Sequence, residues 1–333
     1  MHFNIYVGCD IGKATFSFCI RNQSEILEEG QIVNKQRPIR SWLKSLKKKY
    51  VSSGFIIGME HTGIYSYILL REAHGFDISC SVDNARNIKM SLGLRRGKND
   101  RVDAQRIAEY MLRYSDKLKV WSPRKKQVKQ LQVLIARRRQ LVKARKILIQ
   151  FEKESVQFLD SDVVSLIQKD QLQSLTALTL DIDRIEKLIN EVLLSDENLK
   201  RLKMVITSVP GVGLLTCCEL ILRTNEFKNY ASAKKLACTA GVAPFEHSSG
   251  SSLRGKTRVS SSAHKPLKTL LHLCAMAAIR KPGEIQDYYQ RKVEEGKNKM
   301  SVLNAVRNKL IHRVFAVVKN NVMYKQNYSY SLA

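Results

Sequence analysis

A mixed α/β sheet domain followed by helices to the end of the chain is the fold class that the sequence predicts. Two observations predict it. Between residues 4 and 115, three strand-like runs in succession give way to alternating helix and strand, the order expected of a mixed sheet with helices on its faces. From residue 124 onward, apolar residues recur at helical spacing and the remaining positions are filled by cations.

Taken in order, residues 5–9, 15–21 and 25–33 read as strands joined by short turns. A helix over about 37–49 follows, apolar at Ile39, Trp42, Leu43 and Leu46 and basic on its other face. The short apolar run 55–59 reads as a buried strand, 64–73 as a helix, 77–82 as a strand and 85–92 as a helix. A further helix opens at Asn99 or Asp100, with Ala104, Ile107, Ala108 and Met111 on its apolar face. This domain is placed at 1–115.

The next region, 120–200, is expected to be a helical coiled-coil hairpin. Val128, Ile135, Val142 and Ile149 recur every seven residues with Leu134, Leu141 and Leu148 beside them. Leu175, Leu178, Ile182, Ile185, Ile189 and Val192 then follow the alternating three-and-four spacing of a seam. The two helices pair with each other as an antiparallel hairpin, pair between subunits, or are ordinary bundle helices.

The third region, 201–325, reads as mostly helical. Ser208-Val-Pro-Gly-Val-Gly213 leads into a helix over 214–222, and such a turn is either a phosphate seat or a plain connection. Helices are expected over 231–241, 267–279 and 302–318. Residues 244–262 read as a polar loop rich in Ser and cations, and the tail from Asn320 as loosely ordered.

The charge balance narrows the partners. The 333 residues hold 57 Lys and Arg against 30 Asp and Glu, a net charge of +27. Such a charge on a chain that is 44% hydrophobic points to a globular protein that meets nucleic acid. No apolar run approaches the ~18 residues of a membrane-spanning helix, and the N-terminus lacks the three parts of a signal peptide. A cytoplasmic, nucleoid-associated prokaryotic protein is expected, with no membrane partner. Seven cysteines without a CxxC pair point to reduced, buried thiols rather than structural zinc.

Four acids stand where a site is expected. Asp10 and Glu60 each fall at the end of a strand, where the backbone is fixed and the tip is open. Asp100 and Asp103 are three apart, so a helix puts them on one face. Clustered carboxylates repel, and Mg²⁺ (or Mn²⁺) relieves that repulsion while polarising a phosphodiester. The alternative is that Asp100 caps the helix and Asp103 complements its dipole. Just ahead of them, Arg95, Arg96 and Lys98 form a Gly-punctuated basic loop suited to phosphate. Ten Lys or Arg fall within 124–146, and Arg137, Arg138, Arg139 and Lys143 are candidates for a phosphate track.

These residues carry a resemblance. Gly8-Cys-Asp10-Ile-Gly-Lys13, Met59-Glu60-His-Thr-Gly-Ile-Tyr65 and Gly97-Lys-Asn-Asp100-Arg-Val-Asp103-Ala resemble the ribonuclease H-like domain of Holliday-junction resolvases. With Val209-Pro-Gly-Val-Gly213, Ala240-Gly-Val-Ala-Pro244 and Ser249-Gly250, they are more closely similar to the DEDD-class insertion-sequence transposases. One stretch departs from that pattern: relatives carry a Lys-x-Gly-Asn-type turn where this chain has Ser261-Ser-Ala-His264-Lys.

The resemblance implies a ribonuclease H-like catalytic domain at 1–115, the coiled-coil hairpin at 120–200 and a serine-bearing transposase domain at 201–325. It implies that Asp10, Glu60, Asp100 and Asp103 hold the metal and that Ser249 is the nucleophile. It further implies site-specific recombination of donor and target DNA through a phosphoserine link, guidance by a structured noncoding RNA, and dimers that assemble into tetramers. Arg254, Lys256 and Arg258 are then placed to neutralise phosphate. On chemistry alone, Ser249 is one of seven serines between 248 and 262. His247 is either its activator or a surface histidine.

Two other functions fit parts of the sequence. A metal-dependent junction endonuclease needs the acids without Ser249, and a non-catalytic nucleic-acid-binding protein needs neither. A small-molecule serine hydrolase is disfavoured by the charge and by the missing Gly-x-Ser-x-Gly elbow.

Overall fold

The computed structural model describes residues 3–50, 54–61, 63–91, 93, 99–249, 253–259 and 263–326, with the backbone alone for 246–249 and 253–258. The chain falls into two compact units, Met1–Pro123 and Arg124–Ala333. The regions expected as hairpin and as serine-bearing domain thus lie in a single unit.

The first unit opens with β1 (Ile5–Ile11), β2 (Thr15–Arg21) and β3 (Ile26–Val33) in an antiparallel meander. Its first turn is closed by Gly12 N–H donating to the Thr15 carbonyl at 3.0 Å. In the second, the Asn22 side chain accepts from the Ser24 and Glu25 amides, each at 2.8 Å. Then come α1 (Gln36–Lys49), β4 (Phe55–Glu60), α2 (Tyr67–Gly75), β5 (Cys80–Asp83), α3 (Ala85–Ser91) and α4 (Asp100–Arg113). β4 and β5 add in parallel beside β1, giving the order β3-β2-β1-β4-β5. That mixed five-stranded sheet is the ribonuclease H-like topology.

Period-two alternation divides the sheet into two faces. On one, Val7, Cys9, Phe16, Phe18 and Ile20 are buried with the α1 residues Ile39, Trp42 and Leu43 and the α2 residues Leu69 and Leu70. Trp42 meets Phe16 and Phe18 at ring-centroid distances of 5.4 and 5.1 Å. On the other face, Tyr6 and Ile56 pack with Ile107 and Met111 of α4, and Cys19 packs with Ala104 and Ala108.

Two element boundaries differ from the sequence reading. α2 starts at Tyr67 because Ile64–Ser66 form a turn in which the Ser66 hydroxyl donates to the Gly63 carbonyl at 3.2 Å. β5 starts at Cys80 because the residues before it end α2: Asp77 takes a left-handed φ of 57°, and Ile78 N–H donates back to the Ala73 carbonyl at 2.9 Å. The unit runs past residue 115 because the segment after α4 returns to the sheet, with Trp121 N–H on the Cys80 carbonyl at 2.7 Å.

The second unit begins with α5 (Lys126–Phe158) and α6 (Ser161–Leu194), an antiparallel hairpin about 50 Å long at 1.5 Å per residue. The expected seven-residue seam does not hold along α5, where Val142 is exposed. The buried set is Val128, Leu131, Ile135 and Leu141, because this half of α5 packs on the C-terminal helices as well as on α6. On α6, Ile185, Ile189 and Leu193 are buried with them.

The rest of the unit is α7 (Glu197–Thr207), α8 (Leu214–Thr224), α9 (Ala233–Ala240), β6 (Pro244–Ser249), β7 (Leu253–Val259), α10 (Lys265–Ala278), α11 (Glu284–Glu294) and α12 (Lys299–Asn320). One core joins these helices, with Leu303, Val306, Leu310, Ile311 and Val314 of α12 at its centre. The region 244–262, expected as a loop, contains the antiparallel pair β6–β7 with a bulge after Phe245. Its polar sequence has no apolar alternation from which a strand could be read. In the Val209–Gly213 turn, Gly211 has φ 82°, and a Cβ there would come within 2.4 Å of the Cys274 carbonyl. That turn therefore serves close packing on α10.

Candidate active site

Gly8 on β1 and Gly58 on β4 are cross-strand neighbours and form a trough for α4. A Cβ on Gly8 would lie 2.2 Å from the Ala104 carbonyl and 2.3 Å from the Ala108 nitrogen. One on Gly58 would meet the Met111 sulfur. The helix thus rests directly on the sheet backbone, crossing it from the strand tips inward.

This seating positions the acids. Side chains two apart on a strand share a face, so Asp10 and Glu60 lie on the α4 side, about 7 Å beyond Gly8 and Gly58 toward the strand ends. On α4, Asp100 lies one turn, about 6 Å, ahead of Ala104, with Asp103 adjacent. All four acids therefore occupy the same end of the same face. The helix cap is Asn99, whose side chain accepts from Arg101 N–H at 2.7 Å, so Asp100 is not used as the cap.

Electrostatics brings two of the acids into direct relation. Burial and then the Asp103 charge push the Glu60 carboxyl above its ordinary value. Asp103 also accepts from Arg106 Nη1 at 3.0 Å, a partner on its own helix. Among the described residues, no group of three His, Cys, Asp or Glu is gathered closely enough to hold a metal ion as it stands.

Three residues that the sequence reading missed fix this end of the sheet. Glu29 on β3 accepts from Arg101 Nε at 2.8 Å and from Gln105 Nε2 at 2.6 Å, the two α4 residues that flank Asp103. Burial pushes the Glu29 carboxyl up, but these hydrogen bonds outweigh it and hold the group below its ordinary value. Asn34 donates to the Gly12 carbonyl at 2.9 Å and to the Tyr65 carbonyl at 3.0 Å, joining the loops that follow β1 and β4. Asp83, paired in register with Glu60, accepts from the Tyr110 hydroxyl at 2.6 Å and from Asn87 Nδ2 at 2.8 Å. The strand-tip rule that singled out Glu60 applies equally to Asp83. Glu29 and Asn34 carry no such signal.

Of the basic candidates, Arg95, Arg96 and Lys98 lie outside the described residues. On α5, Arg137 is exposed and bonds only weakly to Gln140, at 3.5 Å, and Lys143 is exposed. Arg138 is paired with Glu186 on α6 at 2.6 Å, and Arg139 is paired with Glu219 on α8. Ser249 ends β6 opposite Leu253, and Ser248 stands opposite Arg254. Arg254, Lys256 and Arg258 occupy alternate positions of β7. The side chains of His247, Ser249 and these cations lie outside what the structure describes.

The family models that match the two parts of the chain place it in the transposase and recombinase class of enzymes. A DEDD transposase model of the IS110 type matches residues 7–153, and the model "Transposase IS116/IS110/IS902 family" matches 203–290. The chain belongs to the IS110 family of insertion-sequence transposases.

A pilin gene-inverting protein of Moraxella lacunata is 27% identical over 95% of this chain and 96% of its own length. A transposase of insertion element IS1111A from Coxiella burnetii is 27% identical over 82% of this chain and 78% of its own. Among solved structures, T. thermophilus RuvC in complex with a Holliday junction is similar over 36% of this chain and 100% of its own, at 12% identity and a TM-score of 0.28. No helix among the described residues is long and apolar enough to cross a membrane.

The family and the fold imply a divalent metal. The chain offers it four carboxylates at one end of the sheet, with a repulsion between Glu60 and Asp103 that a cation would relieve. The donor type fits such an ion, while the carboxylates would have to draw closer together and Asp103 to exchange Arg106 for it.

Proposed function

We propose that this transposase cuts and rejoins donor and target DNA with Asp10, Glu60, Asp100 and Asp103 holding Mg²⁺ or Mn²⁺ and with Ser249 as the nucleophile. The observation that carries the acidic half is the seating of α4 on Gly8 and Gly58, which gives the four carboxylates a common end and face. The cation, when bound there, would polarise the scissile phosphate. The chain's own part is to hold four carboxylates in register, through Glu29 on α4 and Asn34 on the two loops.

The serine half is supported by the family resemblance and by the place of Ser249 at a strand end. Its Oγ would form a bond to phosphorus as one phosphodiester P–O bond breaks, leaving a phosphoserine ester and a free hydroxyl end. The hydroxyl of a second strand then displaces the serine. Each step exchanges one phosphate ester for another, so no ATP is needed. Cutting and rejoining of this kind serves inversion as well as transposition, in keeping with the pilin gene-inverting relatives.

A structured noncoding RNA supplies the choice of site in this reading, and dimers assemble into tetramers on two DNA segments. A charge of +27 suits a chain that must neutralise two kinds of nucleic acid.

The test is to incubate the protein with supercoiled DNA bearing the element's ends, with and without the RNA transcribed from them, and to quench in detergent. The expected result is an RNA-dependent protein–DNA adduct that mass spectrometry maps to Ser249. Cleaved DNA with free ends and no adduct would instead make the protein a hydrolytic endonuclease.

A further inference from the structure

α8 is an apolar helix, Leu214-Leu-Thr-Cys-Cys-Glu-Leu-Ile-Leu222, with one carboxylate in its middle. Glu219 is only 5% exposed, and a carboxylate is costly to bury unless it is paired. It has two neighbours. Arg139 of α5 donates to Oε2, and His264, at the start of α10, brings Nδ1 to 3.6 Å from Oε1.

These residues border a half-open cleft of about 240 Å³ where α5, α8 and α10 meet. Its walls are aliphatic, formed by Ile135, Leu215, Pro266 and Leu270, with Thr269 on the exposed rim. Arg138 and Arg139 line it as well. Each guanidinium is fixed by a carboxylate, Arg138 by Glu186 and Arg139 by Glu219.

More positive charge surrounds Glu219 than one carboxylate offsets. Arg223 lies one turn along α8 and acts on both Arg124 and His264. Burial and then Arg223 hold His264 below its ordinary value, so near neutral pH it is uncharged. Its Nδ1 accepts from Leu267 N–H, leaving Nε2–H as a donor. The site thus combines an apolar slot with pinned guanidinium planes and cationic surroundings.

An unstacked nucleotide has the complementary chemistry. Its base is a flat, weakly polar body that stacks on guanidinium planes and apolar side chains, and its phosphate carries the charge. At about 240 Å³ the cleft is below the range of about 300–1,000 Å³ that suits drug-sized ligands, and so suits a single base.

We propose that this cleft receives one unstacked nucleotide of a DNA or RNA strand, with the base against Leu215 and Leu270 and the phosphate toward Arg139 and Arg223. Glu219 is the positioning residue that keeps the Arg139 guanidinium at the wall. The proposal rests on the chain handling nucleic acid, and on neither the acids nor Ser249.

The test uses the full chain and short single-stranded DNA and RNA oligonucleotides, each with one 2-aminopurine, read by anisotropy and by base fluorescence. Leu270→Trp fills the slot, and Thr269→Phe blocks it from the exposed rim without touching the core. Base–side-chain stacking of about 1–3 kcal/mol predicts roughly a 5- to 150-fold loss of affinity for both variants, with loss of the bound-base fluorescence change. The DNA and RNA arms show which strand supplies the nucleotide.

Wild-type binding that neither folded variant alters would overturn the proposal while leaving the nucleic-acid reading intact. Absence of oligonucleotide binding by the wild type would overturn both. Unaltered binding with a changed oligomeric state would also overturn it, and would make the cleft a subunit contact.

Discussion

Glu60 and Asp103 carry like charges toward the same small volume, and the chain tolerates this in the folded state at some cost. The sign of that cost can be measured. Glu60 holds its proton to higher pH when folded than when unfolded, so its ionisation removes stability as pH rises past the ordinary carboxylate range. Glu60→Gln, examined with a chelator present, is therefore expected to melt higher than wild type near pH 7. The difference should shrink toward pH 4, although the variant should be inactive. A lower melting temperature at pH 7 would mean that Glu60 has a stabilising partner. Glu29→Gln has the opposite expected effect, a loss of about 1 kcal/mol in denaturant unfolding, since it weakens the hold on Arg101 and Gln105. The positions of the four acids, at two strand ends and a helix start, were legible because such places have simple signatures. The roles of Glu29 and Asn34 were not, because they depend on partners 22 to 76 residues away.

α4 is the element on which the candidate site depends, and its seat predicts an asymmetry between two glycines. Gly8 faces helix backbone, whereas Gly58 faces the flexible Met111 side chain. Gly8→Ala should cost about 1–3 kcal/mol in urea unfolding, and Gly58→Ala less, because Met111 can move aside. Equal costs would mean that α4 does not rest on Gly8 as described. Much of the first unit was legible in its elements. Thr15–Arg21 was read with its observed bounds, and the apolar face of α1 was read residue by residue. The β5 boundary was missed because α2 and its terminating turn use the residues just before it. α11 was missed because it buries only Ile285, too little for a periodic signal. The α5 seam was misread because one face of that helix serves two partners, so a strict seven-residue repeat does not describe it.

At the scale of the whole molecule, a charge of +27 predicts DNA affinity that falls steeply with salt, by about 0.9 in log–log slope for each phosphate neutralised. Arg137→Ala or Lys143→Ala should each reduce that slope by about 1. Arg138→Ala should change it less, because Glu186 already offsets its charge. Equal slopes for all three would remove the α5 face from the DNA-binding surface. Recombination in the proposed reading needs both the acids of one unit and the serine of the other. The most direct measurement is excision and rejoining of the element from its native flanks in cells, comparing wild type with Asp10→Ala and Ser249→Ala at matched protein levels. Rejoined junctions are expected for wild type and none for either variant. Junctions that persist with Ser249→Ala while Asp10→Ala is dead would contradict that reading, and would assign strand cleavage to the acidic site alone.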